Sequence, residues 1–175
     1  MKYIFIFQFL LLFTQELCSQ TTRQGPCSGM EYRQFDFWIG EWEAFSPDGK
    51  KAGDSRISVI LDSCVLLEEW TSVTVNNNVR YAGKSFNRYN SIDKNWQQTW
   101  VDNFGLGNEY LKGSYLNNQM ILETAPFIYA KDSLALRKMT FTNLGNNKIR
   151  QFGEISKDGG KVWALEFDLE YRKIK

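Results

Sequence analysis

Residues 35–42 read FDFWIGEW. Four aromatic residues, Phe35, Phe37, Trp38 and Trp42, surround one glycine, Gly40, and the chain then turns polar at SPDGK, residues 46–50. That much ring surface is stable in water only when buried. A glycine among the rings marks a position needing unusual backbone geometry or close approach. EYRQFDFW, residues 31–38, is the one stretch suited to a short helical turn, and Trp42 then starts a first strand.

Downstream the chain is punctuated by turn signals: LDS at 61–63, NNN at 76–78, NSIDKN at 90–95, GLG at 105–107, NN at 117–118, AKD at 130–132, GNN at 145–147 and KDGG at 157–160. Asn, Asp and Gly supply the positive φ values of tight hairpins. With SPDGK these make nine turns about 12 to 15 residues apart, delimiting ten strands without sustained helical periodicity between them. Ten sequential antiparallel strands must protect their edges. An all-β up-and-down meander closed into a barrel, with a short helical plug at its N-terminal side, does so. A two-sheet sandwich is the alternative, and no connection is long enough to favour it.

Period-2 alternation assigns the faces. In 163–172, Trp163, Leu165, Phe167, Leu169 and Tyr171 share the inner face. Ile57, Val59 and Leu61 point inward from 53–62, and Ile149, Gln151, Gly153 and Ile155 from 148–156. In 79–89 every charge is at an even position, so Tyr81, Gly83, Ser85, Asn87 and Tyr89 face in. In 96–104, Trp96, Trp100 and Phe104 carry Gln98 and Asp102 inward with them. Glu68-Glu69 and Arg137-Lys138 each place one charge inside. Trp70 shares a face with Glu68 and selects it, whereas either Arg137 or Lys138 fits. An inward charge is costly unless paired or wet, so these mark a structural ion pair or the polar end of a ligand cavity. Phe86 and Phe152 fall on outer, charged faces.

With 21 basic and 20 acidic residues, and neither sign clustered, the chain lacks a nucleic-acid footprint. Histidine is absent, which excludes a histidine-ligated haem and the Ser-His and Cys-His nucleophilic units. No glycine-rich phosphate loop opens a helix, no calcium loop has EF-hand spacing, and three cysteines do not make a thiolate zinc site, so no cofactor is expected.

Residues 1–20, MKYIFIFQFLLLFTQELCSQ, read as a signal peptide: Lys2, then an apolar run to Phe13 too short to span a bilayer, with cleavage near Cys18 to Gln20. Acylation of Cys18 is the rival reading, and Gln15, Glu16 and Leu17 are larger than lipoprotein signals prefer. Export leaves Cys27 and Cys64 as an even pair, expected to form a disulfide. It would fasten a tether, 21–34, to a single barrel domain, 35–175, by closing a loop of about 38 residues, for roughly 3 to 4 kcal/mol.

The Gly40-Glu41-Trp42 opening of a β-meander resembles that of the calycins: lipocalins, fatty-acid-binding proteins and nitrobindin-like barrels. With CVLLEEW at 64–70, GKSFNRYN at 83–90, WQQTWVD at 96–102, RQF at 150–152 and SKDGGKVW at 156–163, the chain resembles an exported bacterial lipocalin-like family over roughly residues 27–172. The resemblance implies a plug of Phe35, Phe37 and Trp38 closing one barrel end. Lipocalins pair the first-strand Trp with an arginine from the barrel's end; Arg172 is the counterpart, although alternation puts it outside. Nitrobindin-like members hold haem through a histidine, which is missing here. SKDGGKVW also fits the Asp-box hairpin of propellers, but occurs once, and reads as a hairpin with Trp163 inward.

The expected function is an extracytoplasmic binding barrel for a small, partly apolar or amphipathic molecule with a polar head, with no nucleic acid and no transmembrane span. Trp70, Tyr81, Tyr89 and Trp100 would form apolar walls; Glu68 would be the inward carboxylate; Ser85, Asn87, Gln98, Asp102 and Gln151 would orient the head. The alternatives are an interaction barrel filled by its own side chains, and a cofactor-free enzyme using Glu68 or Asp102 as acid or base.

Overall fold

A computed structural model describes residues 25–131 and 133–174; the expected signal peptide, Cys18 and residues 21–24 of the tether lie outside the described residues. Two 3-10 turns, Met30–Arg33 and Asp36–Trp38, precede eleven strand segments. These are β1 Gly40–Phe45, β2 Lys51–Ile60, β3 Val65–Asn76, β4 Val79–Asn90, β5 Asn95–Asp102 and β6 Gly107–Leu116. β7 Gln119–Thr124, β8 Phe127–Ala130, β9 Ser133–Gly145, β10 Lys148–Ser156 and β11 Ala164–Lys173 follow. Both β7 and β8 pair with β9. They occupy one barrel position, interrupted at Ala125-Pro126, because proline has no N–H for the ladder. The barrel is therefore ten-stranded and antiparallel, and it closes where Trp42 to Phe45 of β1 pair with Lys173 to Glu170 of β11.

Sequence chemistry sets the turns. Asn77-Asn78, Asn117-Asn118 and Asn146-Asn147 all have positive φ at both positions, the mirror-image turn that matches strand twist. Gly40 has φ 141°, which lets the chain leave the plug and enter β1.

The plug fills one end. Phe35 and Trp38 are fully buried and stack with ring centroids 5.0 Å apart. Phe141 lies 4.5 Å from Trp38 and 5.0 Å from Phe35, and Trp96 5.6 Å from Phe35. The Trp42 indole N–H donates to the Trp38 carbonyl at 2.8 Å. A Cys27–Cys64 disulfide, with Cα atoms 5.0 Å apart, ties the plug to the β2–β3 turn. The Arg33 guanidinium reinforces it by donating to the carbonyls of Cys27 and Ser63.

Alternation holds through β4 and β10, and three departures have local causes. A bulge lies between the Gly153–Phe167 and Glu154–Leu165 pairs, leaving Glu166 as the extra residue. Leu165, expected inside, is consequently turned out and exposed. Trp163, also expected inside, sits just before β11 on the outer face, beneath the Lys138 ammonium at 4.3 Å from its ring centroid. Val59 is exposed near the end of β2, and Leu61 and Phe104 are exposed in turns, past the strands whose alternation assigned them a face. Phe86 is exposed as expected, whereas Phe152 is half-buried under the Arg150 guanidinium. Arg172 does lie outside, over Phe45. The Trp42 ring instead faces Lys173, whose Nζ stands 5.3 Å from its centroid and donates to the Ile39 carbonyl.

Candidate functional site

Glu68 is the centre of the interior. It lies in the first half of β3, with Ser85 of β4 opposite it in register and Ser55 of β2 one diagonal step away. Ser55 Oγ donates to Oε1 at 2.9 Å, and Ser85 Oγ to Oε2 at 2.8 Å. Behind Ser85 the donors continue in one direction. Gln98 Nε2 donates to Asn87 Oδ1 at 2.7 Å, and Asn87 Nδ2 to Ser85 Oγ at 2.9 Å and to the Leu66 carbonyl at 3.2 Å. All five side chains are buried. Each is an inward residue of adjacent strands β2 to β5, so register alone assembles the row.

Burial pushes the Glu68 carboxyl up from 4.5 to about 7, while the two seryl hydroxyls pull it down and lose. Burial also raises the Tyr110 phenol to about 12 and takes Tyr171 well above 10; the Glu68 charge adds to the shift at Tyr171. These phenols remain neutral at any physiological pH.

Above this row is a cavity of about 270 Å³. Its lining includes Glu68, Trp70, Tyr81, Gln98, Trp100 and Gln151, all expected from the sequence, plus Asn108, Tyr110, Met139, Phe167, Leu169 and Tyr171. Gln151 is locked: it accepts from the Tyr171 hydroxyl at 2.7 Å and donates to Met139 Sδ at 3.0 Å. A larger groove of about 540 Å³ lies along the β10–β11 hairpin, but its Val162 and Leu165 walls are exposed and it has no buried polar group comparable to Glu68.

Four of the expected residues stand elsewhere. Ser85 and Asn87 are behind the cavity, supporting Glu68. Tyr89 packs edge-on against Tyr32 and Trp96 beside the plug, with centroids 5.2 and 6.1 Å away. Asp102 caps the β5–β6 turn: its Oδ1 accepts from the Phe104 and Leu106 N–H groups at 2.9 and 3.0 Å, and its Oδ2 from the Tyr81 hydroxyl at 3.3 Å. No hydrogen bond joins Asp102 to Glu68 among the described residues, and the acid–base pair of the two carboxylates is not assembled.

The inward cation is Arg137. It lies across from buried Ile155, while Lys138 pairs outside with Glu154 at 2.9 Å. Arg137 meets the bulged Glu166 at 2.9 Å and donates to Asn108 Oδ1 at 2.6 Å. It forms a structural ion pair beside the cavity.

Phe167, Leu169 and Tyr171 were readable as inward from alternation, without being singled out as site residues. Asn108 and Tyr110 were not, because the register of β6 shifts between Tyr110 and Lys112, so that Glu109 and Lys112 are both exposed although they stand at odd and even positions. No protein-family model matches this chain, and no curated protein matches it. Within those bounds the fold defines a closed, ten-stranded antiparallel barrel with a plugged end and an aromatic cavity over a buried carboxylate.

Proposed function

We propose that this barrel binds a small, partly apolar molecule with a polar head, and that it does so outside the cytoplasm. The observation that carries the reading is the cavity of about 270 Å³, walled by rings and floored by hydrogen-bonded Glu68. Small-molecule sites combine this kind of apolar wall with a few fixed polar groups, in volumes from about 300 Å³ upward, so a compact ligand fits. The calycin-type resemblance and its end plug support the same reading. Export is supported by the apolar leader and by the Cys27–Cys64 disulfide. No helix among the described residues is long and apolar enough to cross a membrane.

Native mass spectrometry of the protein purified from the envelope of its own cells tests this. A small molecule released on denaturation is expected. An apo mass, together with no binding from a metabolite extract, would count against a binding barrel.

One observation favours a second reading. A carboxyl pushed up to about 7 has the proton affinity of a general acid or base working near neutrality. On that reading Glu68 acts without Asp102, and Glu68→Gln abolishes a turnover that the folded wild type supports.

A further inference from the structure

We propose that the polar head received by this cavity is an organic cation, a small quaternary or alkylated ammonium, held between the Glu68 carboxylate and the surrounding rings. This inference rests on the binding reading above and specifies its ligand class.

Glu68 is the one residue of the cavity wall that carries charge near neutral pH. Six rings share the wall: Trp70, Tyr81, Trp100, Tyr110, Phe167 and Tyr171. Aromatic faces attract cations through their quadrupole, and most strongly where water is excluded. The three phenols do not compete as anions, because burial raises each of them above its ordinary value. Of the neighbouring amides, Gln98 is committed to Asn87, Gln151 to Tyr171 and Met139, and Asn108 to Arg137. Ser55 and Ser85 occupy one acceptor direction on each Glu68 oxygen, and a carboxylate has two per oxygen. The one formal charge in the cavity wall is therefore negative, and the rings around it favour positive charge.

Other charges leave that sign intact. Arg137 and Glu166 neutralise one another at 2.9 Å. Asp102 lies behind Tyr81 and is held by the turn N–H groups. Facing Glu68, β2 and β4 present the hydroxyls of Ser55 and Ser85, and the titratable neighbours are the phenols of Tyr81 on β4 and Tyr171 on β11. A quaternary ammonium suits the site better than a metal ion. It is weakly hydrated, and no group of three or more potential ligating side chains is present among the described residues.

The test uses three probes of similar shape: phenyltrimethylammonium, its neutral isostere tert-butylbenzene, and the anion benzenesulfonate. Binding is followed by tryptophan emission, since Trp70 and Trp100 line the cavity. The cation is expected to bind at least about tenfold tighter than the isostere. Its own charge does not titrate. Its affinity should therefore rise about tenfold from pH 6 to pH 8, following ionisation of a carboxyl near 7. Glu68→Gln should remove both effects, and the wild-type pH profile stands on its own if that variant fails to fold. Equal or tighter binding of the isostere or of the sulfonate would overturn the cationic assignment and leave the binding reading in place. Binding of none of the three at either pH would also overturn it, and the binding reading would then depend on the endogenous ligand sought by mass spectrometry.

Discussion

The benzo edge of the Trp100 indole fills the space that a side chain at Gly83 would enter. The same relation recurs on two other pairs of neighbouring strands. Trp70 fills the space over Gly53, where an added Cβ would stand 2.6 Å from Cζ2, and Phe167 fills the space over Gly153. All three rings line the cavity. Each glycine lets its ring settle against the barrel wall, and the lumen stays open. Gly83→Ala should force the indole inward, costing about 1–3 kcal/mol and weakening binding of a cavity probe. Gly25→Ala, with nothing within 4 Å, should leave both unchanged. Urea denaturation and a probe titration of the two variants read this directly, and an unaltered affinity in Gly83→Ala would show that the glycine does not set the cavity.

Glu68 gives a pH signature of unusual sign for a carboxylate. Its proton is held more tightly in the folded state, at about 7, than at the ordinary 4.5. The stability this contributes is complete below pH 4.5 and is lost as pH rises through 7. The loss is about 3 kcal/mol. Glu68→Gln keeps both hydroxyl contacts available and removes the titration. Urea midpoints from pH 4.5 to 8 should therefore diverge, with the variant gaining on the wild type as pH rises. The difference isolates Glu68 from Glu69 and Glu170, whose lysine and arginine partners lower their pKa values and give the opposite slope. Parallel curves would mean that Glu68 is not buried as described.

The barrel was legible because its information is local. Asn-Asn pairs state their turns, and charges at even positions of 79–89 state their face. The row from Gln98 through Asn87 and Ser85 to Glu68 was legible only as inward polar residues. Its direction depends on cross-strand register, which alternation does not specify. Bulges broke the rule outright. One extra residue at Glu166 exposed Leu165 and brought a carboxylate to Arg137, settling a choice that the Arg137-Lys138 dipeptide left open. Tyr89 was correctly inward but belongs to the plug, because periodicity assigns a face and not a depth along the barrel. Asp102 was also read as inward, while its turn-capping role depends on the backbone path after β5.

That capping role distinguishes a structural Asp102 from a chemical one. Asp102→Ala removes acceptors from the Phe104 and Leu106 N–H groups and from the Tyr81 hydroxyl. It should destabilise the fold by about 1–3 kcal/mol. Asp102→Asn keeps an acceptor at Oδ1 and should cost less than half as much. Thermal melts of the two variants make the comparison, and a neutral Asp102→Ala would return the residue to the candidates for chemistry.

The Cys27–Cys64 bridge joins residues 37 apart and is the covalent link between the plug's leading edge and the barrel wall. Removing it frees the unfolded chain, for roughly 3 to 4 kcal/mol on the chain-entropy argument. In a domain of this size that corresponds to a fall of about 10 °C in Tm. The native barrel should survive reduction, because the buried rings of Phe35, Trp38 and Phe141 hold the plug without the sulfurs. Thermal melts with and without reductant give the shift, and near-ultraviolet circular dichroism of the reduced protein reports whether those rings stay packed. Loss of the aromatic signal at room temperature would mean that the disulfide, and not the ring cluster, seats the plug.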